Sequence, residues 1–515
     1  MGSSLEEKLL GGAERDLFDF PYVRNSYAKI DYSFAKQHQL LPVQEDEKNL
    51  WVAVVDPLHF EPLDELRLLF KKEIQVVCCS QTALEQALQR CYHQNQEETK
   101  RILSVSRKNG EEKAQESEGY DLLEKKEESP VICMLNAILI EAIQERASDI
   151  HFEPKVDGLQ VRYRVDGMLL QRHGFLKEHQ QQILTRLKVL SKLDIAETRL
   201  PQDGRMKLKM GGREIDFRVS TIPVIYGERA VLRILDTSNV LFGLSHLGME
   251  EKLLESFRRQ IRFSEGIVLV TGPTGSGKTT TLYSALHEMH SSEKNIITIE
   301  DPVECKIPGI AQIAVNPKIS FTFANGLRNI LRQDPDVIMV GEIRDRETAD
   351  MAIQAALTGH LVLSTLHTND APSAIVRLID MGIEPYLLTS SIVAVLAQRL
   401  VRKLCPVCRI AYTPTAEELK LLGVSKKEST KTSFFYERGC SECLQTGFKE
   451  RHGVYELMEM TSAIKKQVLK SPQAEELKEI ALAEGMEDLF HSGAMLVRSG
   501  ITTLSEVLRV THVQR

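Results

Sequence analysis

The segment from residue 267 to 289 constrains the fold of this chain more than any other. An apolar run at 267–270 is followed by a glycine-rich loop and then by a helical pattern. The loop's glycines allow successive backbone N–H groups to point inward, and the N-terminus of the helix adds a positive dipole. The pattern GxxxxGKT therefore predicts a phosphate-binding loop made of Gly272, Pro273, Thr274, Gly275, Ser276, Gly277, Lys278, Thr279 and Thr280. In such a loop, Lys278 reaches the β- and γ-phosphates, and the Thr279 hydroxyl is a ligand for Mg²⁺.

Short apolar runs alternate with helical segments through the rest of the C-terminal half. The runs at 267–271, 296–300, 337–340 and 361–365 are typical of strands that are buried on both faces of a sheet. We therefore predict an α/β nucleotide-binding domain at 239–515, with a helical C-terminal part at 455–515. The apolar segment Ser390–Val401 is interpreted as a helix too short to span a membrane.

Acidic residues and a histidine follow several of these strands. Strand carboxyl ends share one edge of a doubly wound sheet, so we expect Glu300, Asp301, Glu342 and His367 to meet there. Hydrolysis of a nucleotide needs a carboxylate that positions water, and Glu342 is the candidate for this role. A single histidine is often structural, and the residues alone leave that alternative open for His367 and for His360.

The N-terminal half divides into three parts by composition. Residues 1–93 mix strand and helix patterns and predict a small α+β module. Residues 94–130 are rich in Glu, Lys and Ser, which predicts a flexible linker. In residues 131–238 a helix precedes strand-like runs that are separated by turn signals such as Asp166-Gly167 and Asp203-Gly204. This predicts an α+β domain with an antiparallel, PAS-like sheet.

Charge and composition limit the possible functions. The formal net charge of −7 argues against a nucleic-acid motor, although a local basic channel is compatible with it. No apolar run reaches the roughly 20 residues that a membrane span needs, and the N-terminus lacks a signal-like apolar region. We therefore expect a cytoplasmic protein.

Four of the nine cysteines form two CxxC pairs. Cys405 and Cys408 make the first pair, and Cys440 and Cys443 make the second. Two such pairs complete a tetrahedral thiolate shell, which predicts a structural zinc site within 401–450. A redox function is the alternative, but it needs only one CxxC pair.

The motifs together resemble the secretion ATPase superfamily. GPTGSGKTTT, ITIEDPVE, LRQDPDVIMVGEIRD and ALTGHLVLSTLHTN are similar to its Walker A, Asp box, Walker B and His box, in the same order. SDIHFEP, RYRVDG, QDGR and RVSTIPVIYGER resemble the domain that precedes its motor. The resemblance implies a RecA-like motor that hydrolyses ATP with Mg²⁺, assembles as a homo-hexamer and brings arginines to the nucleotide. Matching the motifs assigns this role to Arg218, Arg233, Arg328 and Arg332, with Arg205 and Arg229 as second choices.

The cysteine insertion narrows the resemblance. It is similar to that of type II secretion motors and of many type IV pilus assembly motors, whereas pilus retraction motors lack it. The type II secretion ATPase is the leading hypothesis, and pilus assembly is the alternative. A nucleic-acid translocase on the same core is a distant third, and a nucleotide-binding scaffold without activity disagrees with the intact motifs. The family implies that the N-terminal module binds the cytoplasmic domain of a bitopic inner-membrane protein, that the motor acts on a membrane platform protein, and that no nucleic acid is involved.

Overall fold

The structure is a computed structural model with two compact units, residues 1–236 and 237–515. It describes residues 30, 32–46, 48–56, 60–81, 83, 84, 87, 88, 91, 130–210, 213–235, 243–424 and 433–511. The predicted linker at 94–130 lies outside the described residues, apart from Pro130. Within the part of the chain described, no helix has the length and apolar character needed to cross a membrane.

In the described part of the chain, the N-terminal module of the first unit has a three-stranded sheet, the helices α1 and α2, and further helical residues between 81 and 91. The elements are α1 (Tyr32–Gln37), β1 (Leu40–Glu45), β2 (Asn49–Val54), α2 (Phe60–Phe70) and β3 (Glu73–Cys78). The central strand β2 pairs antiparallel with β1 and parallel with β3. Leu41, Val52 and Leu66 are among the residues of its small apolar core.

The second part of the first unit is a six-stranded sheet whose neighbouring strands are all antiparallel. Its elements are α3 (Pro130–Gln144), β4 (Asp149–Pro154), β5 (Gly158–Val165), β6 (Met168–Leu176), α4 (Lys177–Leu190), β7 (Gln202–Met210), β8 (Arg213–Val224) and β9 (Gly227–Leu235). The strand order is β6-β5-β4-β9-β8-β7. One face packs on α3 and α4, as the residue pattern predicted.

One turn prediction in this domain is wrong. Asp203-Gly204 does not turn the chain but lies inside β7, where Gly204 pairs with Val219. A Cβ atom on Gly204 would lie 2.5 Å from the carbonyl oxygen of Ser191. The glycine is therefore needed for a close approach of two backbones, which a dipeptide pattern cannot distinguish from a turn.

The second unit is built on a seven-stranded sheet with helices on both faces. Its elements are α5 (Glu251–Gln260), β10 (Gly266–Thr271), α6 (Lys278–Met289), β11 (Ile296–Glu300), β12 (Ala311–Ala314), α7 (Phe323–Ile330), β13 (Val337–Val340), α8 (Arg346–Leu357), β14 (Leu361–Leu366), α9 (Ala371–Asp380), α10 (Pro385–Ser391), β15 (Ile392–Leu404), β16 (Ile410–Tyr412), α11 (Ala416–Leu421), β17 (Phe434–Tyr436), β18 (Phe448–Glu459), α12 (Ser462–Lys470), α13 (Ala474–Ala483), α14 (Leu489–Arg498) and α15 (Leu504–Thr511). The strand order is β12-β11-β13-β14-β10-β15-β18, and only β18 runs antiparallel to its neighbour. The predicted α/β class is confirmed, and the carboxyl ends of β10, β11, β13 and β14 lie at one edge of the sheet.

Apart from its first two residues, which end α10, the segment Ser390–Val401 is a strand and not a helix, contrary to the prediction. Ile392–Leu404 forms β15, which lies between β10 and β18 and is buried along most of its length. A continuous apolar run is compatible with a buried helix and with a strand buried on both faces, so periodicity alone does not separate them. The hydrogen bonds offered by β10 and β18 decide the outcome here.

Candidate active site

The predicted phosphate loop connects the central strand β10 to α6. Gly272 has a φ of +149°, and a Cβ there would lie 2.4 Å from the carbonyl oxygen of Gln398 on β15. Gly277 precedes α6 with a φ of +87°, and a Cβ there would lie 2.8 Å from the Gln398 side-chain nitrogen. Only glycine therefore fits these two positions. The Ser276 hydroxyl is buried without a hydrogen-bond partner among the described atoms, so the loop retains an unused donor.

Lys278 lies buried beneath this loop. Its Nζ donates hydrogen bonds to the carbonyl oxygens of Gly272, at 2.8 Å, and Pro273, at 3.0 Å. Burial lowers the pKa of Lys278 to about 8; Glu342 opposes this shift, and Arg399 adds to it. A buried ammonium group held only by neutral carbonyls gains from a nearby anion, so the loop favours a phosphate.

Glu342 lies next to this lysine at the end of β13. Its side chain is 15% exposed, and its carboxylate pairs with Arg344 at 2.5 Å and with His367 Nε2 at 3.5 Å. The hydrogen bond to Glu342 raises the pKa of Arg344. Burial, with the charge of Lys278, lowers the pKa of His367 despite the nearby carboxylate, so its imidazole is neutral at pH 7. The structure thus brings Lys278, Glu342 and His367 together.

Glu300 and Asp301 end β11 at the same sheet edge but differ in environment. The Glu300 carboxylate is buried and accepts hydrogen bonds from Tyr283, from Thr298 at 2.6 Å and from Gln312 at 3.2 Å. Asp301 is exposed, and its charge contributes to the raised pKa of Arg344. Glu300 therefore holds β11, α6 and the start of β12 together, while Asp301 is accessible to solvent.

His360 lies at the opposite end of its strand from His367. It precedes β14, where its Nδ1 lies 2.9 Å from the Ala355 carbonyl oxygen and 3.1 Å from the Thr358 hydroxyl. These contacts close the C-terminus of α8. His360 therefore has a structural explanation away from the sheet edge that carries Lys278.

The two candidate arginines of the second unit lie on or just after α7. Arg328 donates to Glu347 at 2.8 Å, and its side chain is 47% exposed. Arg332 is exposed and contacts the Arg328 carbonyl oxygen at 2.7 Å and the Asn329 side chain. Both side chains lie on the outer surface of α7.

The candidate arginines of the first unit share a strand register. Arg218 on β8 pairs with Arg233 on β9 and with Arg205 on β7, so the three form one row across the sheet. Arg233 Nε donates to Asp149 at 3.1 Å. Arg229, four residues before Arg233, contacts a different carboxylate of β4, that of Glu153, at 2.9 Å. The row lies on the face away from α3 and α4, because the alternate positions of β8 and β9 fill the core.

Sequence reasoning missed three residues near the loop. Arg344 was not selected, although it stands only two positions after Glu342. Gln398 and Arg399 lie on β15, within the apolar segment that the sequence analysis interpreted as a helix. The Thr281 hydroxyl donates to the Gln398 side chain at 2.7 Å, which connects β15 to α6. Two polar residues inside an otherwise buried strand were the signal that could have identified them.

The four selected cysteines cluster in the connection between β15 and β18. The Sγ atoms are 3.9 Å apart for Cys405 and Cys440, 3.8 Å for Cys408 and Cys443, and 3.7 Å for Cys440 and Cys443. A tetrahedral zinc with Zn–S bonds of about 2.3 Å places its sulfur atoms about 3.8 Å apart. The Cys440 and Gly447 N–H groups also donate to Cys443 Sγ, both at 3.2 Å. This donor set fits a zinc ion.

Comparisons with known proteins agree with this architecture. The sequence model of the type II/IV secretion system protein family matches residues 124–509. The chain belongs to this family. The MshEN domain model matches residues 12–98. The family assignment confirms the resemblance found in the motifs, and the protein is an ATPase.

Individual relatives cover nearly the whole chain. The type II secretion system ATPase E of Vibrio cholerae is 45% identical over 95% of this chain and 98% of its own. The type IV pilus assembly ATPase PilB of Myxococcus xanthus is 42% identical over 97% of this chain and 89% of its own. The crystal structure of the Legionella pneumophila ATPase DotB, at 21% identity, aligns with a TM-score of 0.55 over 77% of this chain and all of its own, which supports the fold.

Proposed function

We propose that the second unit binds Mg-ATP on residues 272–280 and that Glu342 orients the attacking water. The observation that carries this proposal is the position of a largely buried carboxylate beside Lys278 at the carboxyl edge of the sheet. Lys278 binds the phosphates, and the Thr279 hydroxyl is a ligand for Mg²⁺. Magnesium, when bound, neutralises charge that develops on the phosphates.

The neighbours of Glu342 have supporting roles in this proposal. Arg344 holds the carboxylate in place, because a charge-assisted hydrogen bond restricts its rotation. The neutral His367 donates a hydrogen bond from Nε2 to Glu342 or to the water beside it. Three hydrogen bonds hold Glu300, which fixes the backbone that leads into Asp301. Asp301 is exposed and remains free to contact Mg²⁺-bound water.

Arginines from a neighbouring subunit complete the site in a homo-hexamer. Arg328 and Arg332 have exposed side chains, and the Arg233 side chain is 56% exposed. Arginines that enter during the reaction stabilise the charge of the transition state and raise the rate by about 10³–10⁵-fold. Activity would then depend on assembly.

The machine that this motor drives is proposed to be a type II secretion system. Support comes from the type II secretion ATPase of Vibrio cholerae, which matches the chain almost end to end. The match to PilB keeps pilus assembly as the second candidate. In either case the protein would act at the cytoplasmic face of the inner membrane, on a platform protein, with zinc as a structural ion in its four-cysteine site.

The N-terminal module is proposed to bind the cytoplasmic domain of a bitopic membrane protein. Leu68 and Leu69 on α2 are 78% and 56% exposed, and Val76 on β3 is 39% exposed. Two adjacent exposed leucines on one helix are the observation that supports an interaction surface at α2. Leu68→Asp should reduce recovery of the protein with inner membranes that carry the secretion apparatus, with an unchanged melting temperature. Unchanged recovery would contradict this role for α2.

ATPase activity measured against protein concentration tests the main proposal. We expect the activity per chain to rise with concentration, to rise further when a hexameric tag is fused, and to ignore single-stranded DNA. Glu342→Gln should lower kcat by about 10²–10⁴-fold while ATP still binds. The control is Glu288→Gln, which removes a carboxylate that pairs with Arg258 at 2.7 Å at the far end of α6. Hydrolysis by Glu342→Gln at the wild-type rate would refute its role, and stimulation by DNA alone would favour a translocase.

A further inference from the structure

Arg399 is a buried cation that the proposed mechanism does not use. It is 4% exposed and lies on β15, which pairs with β10 beside the phosphate loop. Its Nη2 donates to the backbone and side-chain oxygens of Asn369, both at 3.0 Å. Among the described residues no carboxylate lies within ion-pair distance of it, and its Nε has no hydrogen-bond partner. Such a group costs folding free energy, so stability alone does not explain it.

The segment that Arg399 contacts follows directly after His367. Thr368 is fixed to the strand of the phosphate loop, because its N–H donates to the Thr271 hydroxyl at 2.9 Å and the two hydroxyls lie 2.7 Å apart. Asn369 comes next and accepts the hydrogen bonds of the Arg399 guanidinium. The position of His367 beside Glu342 therefore depends on a short chain of contacts that ends at Arg399.

Glu456 holds the other end of the same segment. It is 1% exposed on β18, and its carboxylate accepts the N–H groups of Ala371 at 2.8 Å and Leu489 at 3.3 Å. These are the first residues of α9 and α14, where helix dipoles favour a negative charge, whereas burial raises the pKa of Glu456 to about 7. Burial lowers the pKa of Arg399, and the charges of Asp370 and Glu456 oppose this shift. Segment 367–371 is thus fixed from β15 on one side and from β18 on the other.

We propose that Arg399 is a positioning residue for hydrolysis that fixes segment 367–371, and with it His367, against the phosphate loop. Glu456 connects the segment to α14 through its two hydrogen bonds. This inference rests on the proposed hydrolytic function of Glu342 and His367. It assigns no contact between Arg399 and the nucleotide.

The test compares substitutions at Arg399 with a matched substitution on the same strand. Arg399→Gln should lower kcat by about 10- to 100-fold, because displacement of catalytic groups by about 1 Å has effects of that size. The Kd for ATP should stay within about threefold of the wild type, and Arg399→Lys should be intermediate because Lys keeps the charge but not the two-point contact. Arg402→Gln is the control, since Arg402 binds Glu506 on α15 at 2.8 Å and does not contact segment 367–371. It should lower the melting temperature and leave kcat nearly unchanged.

A double-mutant cycle separates positioning from a general loss of stability. If Arg399 acts through His367, Arg399→Lys should have almost no further effect on kcat in a His367→Ala background. Independent, multiplicative effects would overturn the inference, as would a wild-type kcat for Arg399→Gln. A wild-type protein without any ATPase activity under assembly conditions would instead contradict the proposed function itself.

Discussion

The lowered pKa of Lys278 predicts that nucleotide binding depends on pH. Its pKa is lowered to about 8 in the free protein, and bound phosphates favour its protonated form. Below pH 8 the ammonium is already present, whereas above pH 8 binding must include uptake of a proton. The ATP affinity should therefore fall above pH 8, by up to about tenfold per pH unit until the pKa of the complex is reached. Calorimetry at pH 9 in two buffers of different ionisation enthalpy should detect the proton uptake.

Lys278→Arg is the control for this effect. An arginine stays charged at these pH values, so the variant should bind ATP more weakly but with little dependence on pH between 7.5 and 9.5. The second phosphate ionisation, near pH 6, is complete in that range and contributes no slope. A wild-type affinity that is constant from pH 7.5 to 9.5 would show that the lysine is not the titrating group.

At this same scale, the sequence predicted the residues whose chemistry is tied to a local motif. Lys278 and Glu342 follow strands that are recognisable by their apolar runs, so their meeting at one sheet edge followed from topology. For Arg399 the sequence offered only a polar residue in an apolar segment, because its function depends on β15 lying next to β10. That neighbour relation comes from long-range strand pairing, which has no local signature.

Whole elements also divide into those that the local sequence specifies and those that long-range contacts decide. Runs such as 267–271 and 337–340 agree with β10 and β13 to within one residue, because flanking glycines and turns limit them. The segment Ser390–Val401 was misinterpreted as helical, since an apolar run such as 392–397 is compatible with either a buried helix or a buried strand. Asp203-Gly204 was misinterpreted as a turn because the contact with Ser191 is not visible in the local sequence. Elements that depend on tertiary contacts are therefore the ones that the pattern does not specify.

The four-cysteine connection yields a prediction at the scale of a single element. The cluster lies between β15 and β18, which are already neighbours in the main sheet over a long antiparallel register. Loss of zinc should therefore disorder the connection without separating the strands. In Cys408→Ser the zinc content should fall from one ion per chain to well below one, and kcat should change by less than about threefold, or under 1 kcal/mol.

The matched control is Cys133→Ser, which removes a cysteine outside the cluster. Metal analysis by mass spectrometry and protease sensitivity of residues 405–447 are the measurements. Full zinc occupancy in Cys408→Ser would exclude a four-thiolate site. A loss of ATPase activity as large as that of Glu342→Gln would mean that the connection supports catalysis directly.

At the scale of the whole molecule, the central question is whether a single chain holds a complete active site. If Arg233 acts on the nucleotide of a neighbouring subunit, Arg233→Ala and Glu342→Gln damage different halves of a shared site. Each variant alone should be nearly inactive. Random co-assembly of equal amounts of the two variants should restore about a quarter of the sites. Each restored site needs an intact Glu342 from one subunit and an intact Arg233 from its neighbour in the ring.

The control mixture combines Lys278→Ala with Glu342→Gln, which damage the same nucleotide site and cannot complement each other. ATPase activity of co-expressed, co-purified hexamers is the measurement, scaled to the amount of each variant found by mass spectrometry. Recovery with Arg233→Ala but not with Lys278→Ala would establish a site shared between subunits. If neither mixture recovers activity, Arg233 does not act on the nucleotide of a neighbouring subunit. The same mixing experiment with Arg218→Ala, Arg328→Ala and Arg332→Ala then tests the other candidate arginines one by one.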